Sequence, residues 1–361
     1  MPVAEAPATR EELCSALAAA GEAGTPVRFR GGGTKQAWPL PAPEGTLELA
    51  TSGLDSILEH NAGDLTAVLE AGVPLADAQA LFAKEGQMLA LDPPDGGATV
   101  GGVVASGDTG PLRGRYGGPR DLVLGMRVAL SDGTLSKSGG KVIKNVAGYD
   151  IAKLFAGSFG TLGAIVELSV RLHPIAPAAA TAVGHAGDTG ELARGTAALS
   201  RSPLEHHGLD VRWSGGRGSV LMRFAGATPR PQAEAAERLL REEGLATEIE
   251  DDDRLWDEQR ARQRGQLVVK VSALPTRLPE LLRAADELGA AVVGRATLGL
   301  WWLRFEEPLA SYVERLRRDF LARVEDRPPG LDVDPAGPLE PATRELMQRV
   351  KERFDPAGVC V

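Results

Sequence analysis

At 361 residues, with 43% hydrophobic and 25% charged side chains, the chain is long enough for more than one domain with its own core. A net charge of −9 excludes the basic face that nucleic-acid binding requires, and two cysteines at opposite ends, Cys14 and Cys360, exclude a disulfide framework and any iron–sulfur or zinc motif. Glutamates in the stretch Met1 to Leu13 replace the basic and apolar runs of a signal peptide, and no apolar stretch reaches ~18 residues, so the expectation is a cytoplasmic protein without a transmembrane segment.

In chain order, Thr9 is placed to cap a first helix running to about Ala20, with Glu11 and Glu12 in its opening turn. Strands are expected at Val27–Arg30, Leu47–Ala50 and Ala67–Glu70, and an amphipathic helix at Leu75–Lys84 after Pro74. Thr99 is a cap for a short helix through Val104. Leu122–Leu130 reads as a strand, Ser131-Asp-Gly133 as a hairpin turn and Thr134–Lys137 as its return. A short helix at Ile151–Phe155 and a strand at Ala164–Leu172, ended by Pro174, follow. The alanine- and proline-rich run Pro174–Ala180 predicts a linker. Beyond it come strands Leu209–Trp213 and Ser219–Ala225, helix Arg230–Glu243, strand Leu267–Ser272, helix Thr276–Leu288, strands Ala291–Arg295 and Leu298–Phe305, and a helix Leu309–Glu325. That order predicts an α+β sheet layer with helices on one face. Asp251–Asp253 reads as an exposed loop, Pro341–Phe354 as a closing helix, and no internal sequence repeat stands out.

The most informative stretch is Gly96–Gly163, which holds 17 glycines arranged in distinct phrases. Glycine lets backbone come close to a bulky polar group, and a phosphate-bearing cofactor is the natural occupant. Arg30-Gly-Gly-Gly-Thr-Lys35 follows a strand and offers consecutive backbone N–H groups, but it has neither the triphosphatase loop order nor the Gly-x-Gly-x-x-Gly dinucleotide fingerprint. Gly101 and Gly102 open a helix, where free N–H groups favour an anion. Gly157-Ser-Phe-Gly-Thr-Leu-Gly163 adds a third approach with Ser158 and Thr161 as hydroxyl donors, and Gly148-Tyr-Asp150 sets an aromatic beside a carboxylate. Eight cations between Arg113 and Lys153 suit an anionic cofactor.

Together these phrases resemble the vanillyl-alcohol oxidase and p-cresol methylhydroxylase (PCMH) type of FAD-binding proteins, over Val27 to Pro174, nearly half the chain. Within that family, Gly139-Gly-Lys-Val-Ile-Lys-Asn-Val-Ala-Gly-Tyr-Asp150 looks most like the FAD-binding subunit type of bacterial glycolate oxidases. The resemblance implies an α+β fold: a PCMH-type FAD-binding domain of two α+β subdomains at residues 1–176, an α+β cap domain at 177–335 and a C-terminal helix and tail at 336–361. Carried over, Arg30, Gly31, Gly32, Gly33 and Thr34 would form the pyrophosphate loop, and Pro94, Gly101, Gly102, Ser106 and Gly107 would line the diphosphate and ribityl chain. Arg115, Tyr116 and Gly117 would lie near the flavin, with Gly148, Tyr149 and Asp150 also at the cofactor. Gly157, Ser158, Gly160, Thr161, Gly163 and Ile165 would serve the adenine half.

The chain departs from that family in several places. Before Pro174 the only histidines are His60 and His173, outside the glycine loops, so non-covalent FAD is expected. Phe159 takes the place of the family's usual glutamate. No metal site is expected, because the second half lacks the His-rich phrase of two-hydroxy-acid dehydrogenases and offers only the adjacent pair His206-His207, read as a solvated loop. His185 reads as exposed and without a partner, Trp256, Trp301 and Trp302 as core or interface, and Arg212, Arg223 and Arg304 as salt-bridged surface arginines that could also bind a carboxylate.

The leading expectation is therefore an FAD-binding subunit of a complex that oxidises glycolate to glyoxylate. A catalytic flavoprotein subunit and an iron–sulfur subunit would be its partners, and they would supply any contact with the inner membrane. The alternatives are a self-sufficient FAD-dependent 2-hydroxy-acid dehydrogenase and a structural subunit that has lost flavin.

Overall fold

The computed structural model describes residues 3–141 and 150–361. It divides into two compact units. One comprises the chain up to Thr109, Tyr116–Ile175 and Pro338–Val361, and the other Gly110–Arg115 and Ala176–Gly337.

The first unit opens with helix Arg10–Ala23, capped as expected: the Thr9 hydroxyl accepts the Glu12 N–H at 3.1 Å, and the helix ends at Gly24 with φ +64°. Its buried Leu13 and Leu17 pack with Val27 and Leu49 of a three-stranded parallel sheet, in which Leu47–Ala50 lies between Val3–Glu5 and Val27–Arg30. A five-stranded antiparallel sheet follows, in the order Ile57–Asn61, Thr66–Glu70, Ala164–Arg171, Val123–Ala129 and Leu135–Gly139. The central strand Ala164–Arg171 is buried except at its last residue, because helices and neighbouring strands cover both of its faces. Helices Leu75–Ala83 and Val100–Ser106 bury Phe82, Val103 and Val104 in the same core as Leu69 and Leu168. Each such fully buried side chain contributes about 1.5–3 kcal/mol.

The closing helix Pro341–Phe354 forms as the sequence predicts, and the chain after it returns to the parallel sheet. Val27 donates its N–H to the Val359 carbonyl at 2.7 Å and accepts from the Val361 N–H at 2.9 Å. A clamp holds this return: the Lys351 ammonium bonds Asp355, the Cys360 carbonyl and, at 2.8 Å, the Thr161 carbonyl. Asp355 accepts the N–H groups of Val359 at 3.2 Å and Cys360 at 2.9 Å. Burial alone would push the Asp355 carboxyl up, but Lys351, the Ser131 hydroxyl and the Cys360 N–H together hold it below its usual range. Burial, then the nearby carboxylate, pushes the Cys360 thiol up to about 12, so it stays protonated and unreactive.

Asp355→Asn is expected to cost about 2 kcal/mol at neutral pH. Because the folded carboxyl titrates below its unfolded value of 3.8, the wild-type advantage is complete above that pH and is lost as pH falls through the folded pKa. Urea melts of both proteins at pH 7 and at about pH 3 check this; equal stability at pH 7 would refute the clamp.

The second unit is an eight-stranded, wholly antiparallel sheet. Its order is Ala246–Glu250, Ala178–Ala186, Arg217–Gly226, Gly208–Ser214, Ala291–Arg295, Leu300–Phe305, Leu267–Ser272 and Leu321–Val324. The connectivity is duplicated. Strand Ala178–Ala186, helix Thr189–Arg201, two strands, helix Pro229–Glu242 and strand Ala246–Glu250 form one βαββαβ half. Strand Leu267–Ser272, helix Leu278–Leu288, two strands, helix Ala310–Asp319 and strand Leu321–Val324 repeat it. The halves meet at their second strands, with Asp210 opposite Arg295. A repeat absent at the level of residue identity is therefore present in topology.

Three sequence expectations are corrected here. The alanine run expected to be a linker enters strand Ala178–Ala186, where Ala180 and Ala182 are buried, and at Gly184 a Cβ would lie 3.0 Å from Leu240 of the overlying helix. Small residues are needed where that helix sits close to the sheet. The helix expected to reach Glu325 stops at Asp319, and the chain continues as strand Leu321–Val324, because it completes the sheet beside Leu267–Ser272. Helix Thr189–Arg201, strand Ala246–Glu250 and helix Arg254–Ala261 were not expected at all, although Asp188 caps the first of them through the N–H groups of Gly190 and Glu191. The three tryptophans are core as expected: Trp301 and Trp302, adjacent on one strand, face opposite sides of the sheet, and Trp256 packs with Val183, Leu221 and Leu255. Among the described residues no helix is long and apolar enough to cross a membrane.

Candidate functional site: a glycine-walled cleft in the first unit

Strand Val27–Arg30 runs straight into Gly31–Thr34, and that loop forms one wall of a solvent-accessible cleft. Helix Val100–Ser106 supplies a second wall through Gly101, Gly102 and Ser106, and the turn after helix Ala152–Phe155 a third through Phe159, Gly160, Gly163 and Ile165. The glycines are required first by the protein itself. A Cβ at Gly32 would stand 1.8 Å from the Gly97 carbonyl oxygen, one at Gly31 2.3 Å from the Thr99 hydroxyl, and one at Gly101 2.6 Å from the Ala71 methyl. Close packing of the protein on itself is thus one reason for these glycines, beside the approach of a cofactor that the sequence suggests.

The amides of Gly31, Gly32 and Gly33 make no hydrogen bond among the described residues, and a run of free N–H groups is a receptor for phosphate oxygens. At the helix start, by contrast, the Gly101 N–H is given to the Ala71 carbonyl and the Gly102 N–H to the Thr99 hydroxyl at 3.2 Å. Those two contribute the helix dipole and close approach, and not free donors. The Arg28 guanidinium reaches the cleft from the strand below; its Nη2 donates to the Leu40 carbonyl at 2.6 Å, while its buried Nε has no partner. Burial lowers its pKa against the pull of Glu48. Lys35 is committed elsewhere, to Asp95 at 3.0 Å and Asp108 at 3.1 Å. Phe159 holds φ +56°, a left-handed conformation that a bulky residue adopts only under constraint, and its ring meets Trp38 at 6.3 Å.

Of the expected site residues, Gly31, Gly32, Gly33, Thr34, Gly101, Gly102, Ser106, Gly160, Gly163 and Ile165 line this one cleft. Arg30 turns to Glu48 at 3.1 Å. Pro94, Gly107 and Gly157 stand outside the lining, as do Ser158 and Thr161, whose hydroxyls donate to the carbonyls of Phe155 and Ser158 at 2.9 and 2.7 Å. The Tyr116 ring packs tilted against His173, centroids 4.7 Å apart, and Gly117 holds φ +84° over Asp121, whose carboxylate accepts the Gly118 N–H at 2.8 Å. Asp150 pairs with Lys153 at 2.7 Å, while Gly148 and Tyr149, with most of the long phrase from Gly139 to Asp150, lie outside the described residues. Sequence reasoning missed Arg28, Gln36, Thr51 and Ala71; the alternation of Val27–Arg30 gave no sign that Arg28 faces a cleft.

Arg115 belongs to the second unit, in the segment Gly110–Arg115. There it faces His206 and His207, which are half-buried and so correct the expectation of a solvated pair. Backbone ties the group together, the His207 N–H donating to the Arg223 carbonyl at 2.7 Å. Burial first, then Arg115, Arg223 and His206, pushes the His207 imidazole down to about 4; burial and Arg115 lower His206 as well. Both rings are neutral at pH 7. As pH falls from 6.5 towards 4 the unfolded chain takes up protons that the folded one refuses, so stability declines across that window. His207→Gln is expected to flatten the pH dependence of Tm between pH 7 and 5; thermal melts that fall equally in both proteins would refute this. The arginines expected at the surface are paired: Arg212 with Glu258 at 3.2 Å, Arg223 with Asp253 at 2.7 Å and Arg304 with Glu306 at 3.4 Å. His185, expected to lack a partner, has two: Ser219 at 3.1 Å and Glu248 at 3.0 Å. Among the described residues no group of acidic, histidine or cysteine side chains could hold a metal ion.

Residues 2–139 match the FAD binding domain family. The chain is 35% identical over 205 residues to glycolate oxidase subunit GlcE of Escherichia coli, covering 54% of this chain and 58% of that one. It is 37% identical over 171 residues to glycolate oxidase subunit GlcD of Bacillus subtilis (47% of this chain, 36% of that one) and 36% identical over 169 residues to the D-lactate dehydrogenase of Archaeoglobus fulgidus (46% and 38%). The chain thus spans between about a third and somewhat over half the length of these relatives. In fold it matches a solved alkyldihydroxyacetonephosphate synthase with a TM-score of 0.74 at 15% identity, over 99% of this chain and 75% of that one. The fold is that of the PCMH-type FAD-binding proteins, and FAD is the cofactor of this chain.

Proposed function

We propose that this chain is the FAD-binding subunit of a complex that oxidises a 2-hydroxy acid, glycolate to glyoxylate, as in the glycolate oxidases whose subunits it resembles. The observation that carries the reading is the cleft, where free amides of Gly31–Gly33 and the Arg28 guanidinium converge on a space suited to a diphosphate. FAD is held without a covalent bond: His60 bonds Gln87 at 3.0 Å, His173 packs tilted against Tyr116, and neither lines the cleft. The flavin, when bound, supplies the acceptor for the two electrons leaving the substrate's Cα–H. The chain's own residues bind and orient it, with the expected pyrophosphate loop on Gly31–Thr34 and the expected adenine subsite around Gly160–Ile165. Residues 177–335 would act as the cap. With two cysteines, Cys14 and Cys360, and neither near the other in sequence, iron–sulfur relay would fall to a partner chain, beside a second flavoprotein subunit.

One observation favours a second reading, a self-sufficient dehydrogenase. His206 and His207, neutral beside Arg115 and Arg223, are the group in the second unit that could receive a carboxylate and a hydroxyl proton. The test is the visible spectrum of the purified, FAD-loaded chain before and after anaerobic glycolate. Persistent flavin bands support the subunit reading, bleaching supports the second, and no flavin after reconstitution overturns both.

A further inference from the structure

We infer that the second unit carries an anion site of its own, built for a phosphoryl group, on the sheet face opposite the main layer of helices. A groove there is lined by Arg212, Arg217 and Arg262, with His185 and Ser219 on its floor. Register explains the convergence. His185, Ser219 and Arg212 are directly opposite one another on three neighbouring strands, so all three side chains emerge on one face in a transverse row. Arg217 follows the hairpin turn at Gly215 and Gly216, both in the left-handed region, and Arg262 caps the C-terminus of helix Arg254–Ala261, which lies on this face.

The charges do not balance within the groove. Arg212 is half-buried and paired with Glu258 at 3.2 Å, but the nearby Arg262 guanidinium repels it, and burial followed by that repulsion lowers its pKa. Arg217 and Arg262 have no ion pair among the described residues, and no carboxylate lines the groove. Two acids flank it, Glu258 on Arg212 and Glu248, which bonds His185 at 3.0 Å and also pulls on Arg212, so three guanidinia stand against two carboxylates. Three guanidinia presenting planar donor forks around one concavity match the tetrahedral oxygens of a phosphate or phosphate monoester, whose charge lies between one and two near neutral pH. A dicarboxylate spreads the same charge over a longer span.

The test is isothermal titration calorimetry of the FAD-loaded full chain with inorganic phosphate, against chloride at matched ionic strength, and with malonate as the dicarboxylate. Saturable phosphate binding is expected, weakened about tenfold or more by Arg217→Ala and by Arg262→Ala. Both positions are exposed, so the variants keep the fold, and unchanged flavin content and circular dichroism verify it. Glycerol phosphate binding as well as phosphate would identify the monoester as an accepted form of the same ligand. Three results would overturn the inference: heat no larger than with chloride, binding unaffected by either substitution, or malonate binding more tightly than phosphate.

Discussion

Gly32→Ala is expected to leave the protein unable to retain FAD. The new Cβ would lie 1.8 Å from the Gly97 carbonyl oxygen and 3.0 Å from its carbon, and both are backbone atoms that no rotamer change can move. Either the loop Gly31–Thr34 or the turn leading to Thr99 must shift by more than an ångström, and both form the wall of the cleft. A displaced row of amides no longer meets the phosphate oxygens, and a loss of ~100-fold or more in FAD affinity follows. Gly31→Ala is a graded companion. Its Cβ meets the Thr99 hydroxyl at 2.3 Å, a side chain that can rotate away at the cost of its cap on Gly102, about 1 kcal/mol. Gly96→Ala, with nothing within 4 Å, is the control and should keep full flavin. Flavin-to-protein absorbance after purification and FAD titration of the apoproteins measure the series, with thermal melts of the apoproteins separating lost binding from lost folding. Full flavin in Gly32→Ala would mean that the wall can open without touching the cofactor.

The first unit was legible because its signals are local. Thr9 and Thr99 are caps whose partners lie three residues away, and strands such as Val27–Arg30 and Leu47–Ala50 carry their own apolar pattern. The glycine phrases marked the cleft for the same reason, since a backbone that must pass close to another cannot carry a side chain. What the phrases could not reveal is which atoms press on each glycine. Gly32 answers to Gly97 and Gly101 to Ala71, and such long-range pairs are written in no single segment. Arg28 stayed hidden because an arginine on a short strand looks the same whether it faces solvent or a cleft. In the second unit the long-range term dominates. The stretch after Asp319 becomes a strand because Leu267–Ser272 lacks a partner on that side, and the alanines after Pro174 become a strand because a helix must lie close above them. The duplication escaped notice because a βαββαβ half requires only a pattern of apolar faces, which two unrelated-looking sequences can share.

The seam between those halves should be the most sensitive point of the second unit. At the junction of strands Gly208–Ser214 and Ala291–Arg295, Asp210 and Arg295 face each other, both 1% exposed, with Arg295 Nη1 donating to Asp210 Oδ2 at 2.8 Å. Gln259 donates to the same carboxylate oxygen at 3.2 Å, Gln263 accepts from the guanidinium, and the guanidinium lies 4.8 Å from the centre of the Trp302 ring. Burial pushes the Asp210 carboxyl above its usual range against the opposing pull of Arg295. Asp210→Ala would leave a guanidinium with no counter-charge in the middle of the sheet, an expected loss of about 3–5 kcal/mol and a fall in Tm of roughly 10 °C. Replacing both members by apolar residues, Asp210→Leu with Arg295→Met, removes the stranded charge and should recover most of that loss. Thermal melts of the two singles and the double complete the cycle. Asp210→Ala melting within about 2 °C of wild type would show that water reaches the seam and screens the arginine. A double variant worse than either single would show instead that the polar network sets the register of the two halves, because the apolar pair fits the same space and differs in having no directional bonds.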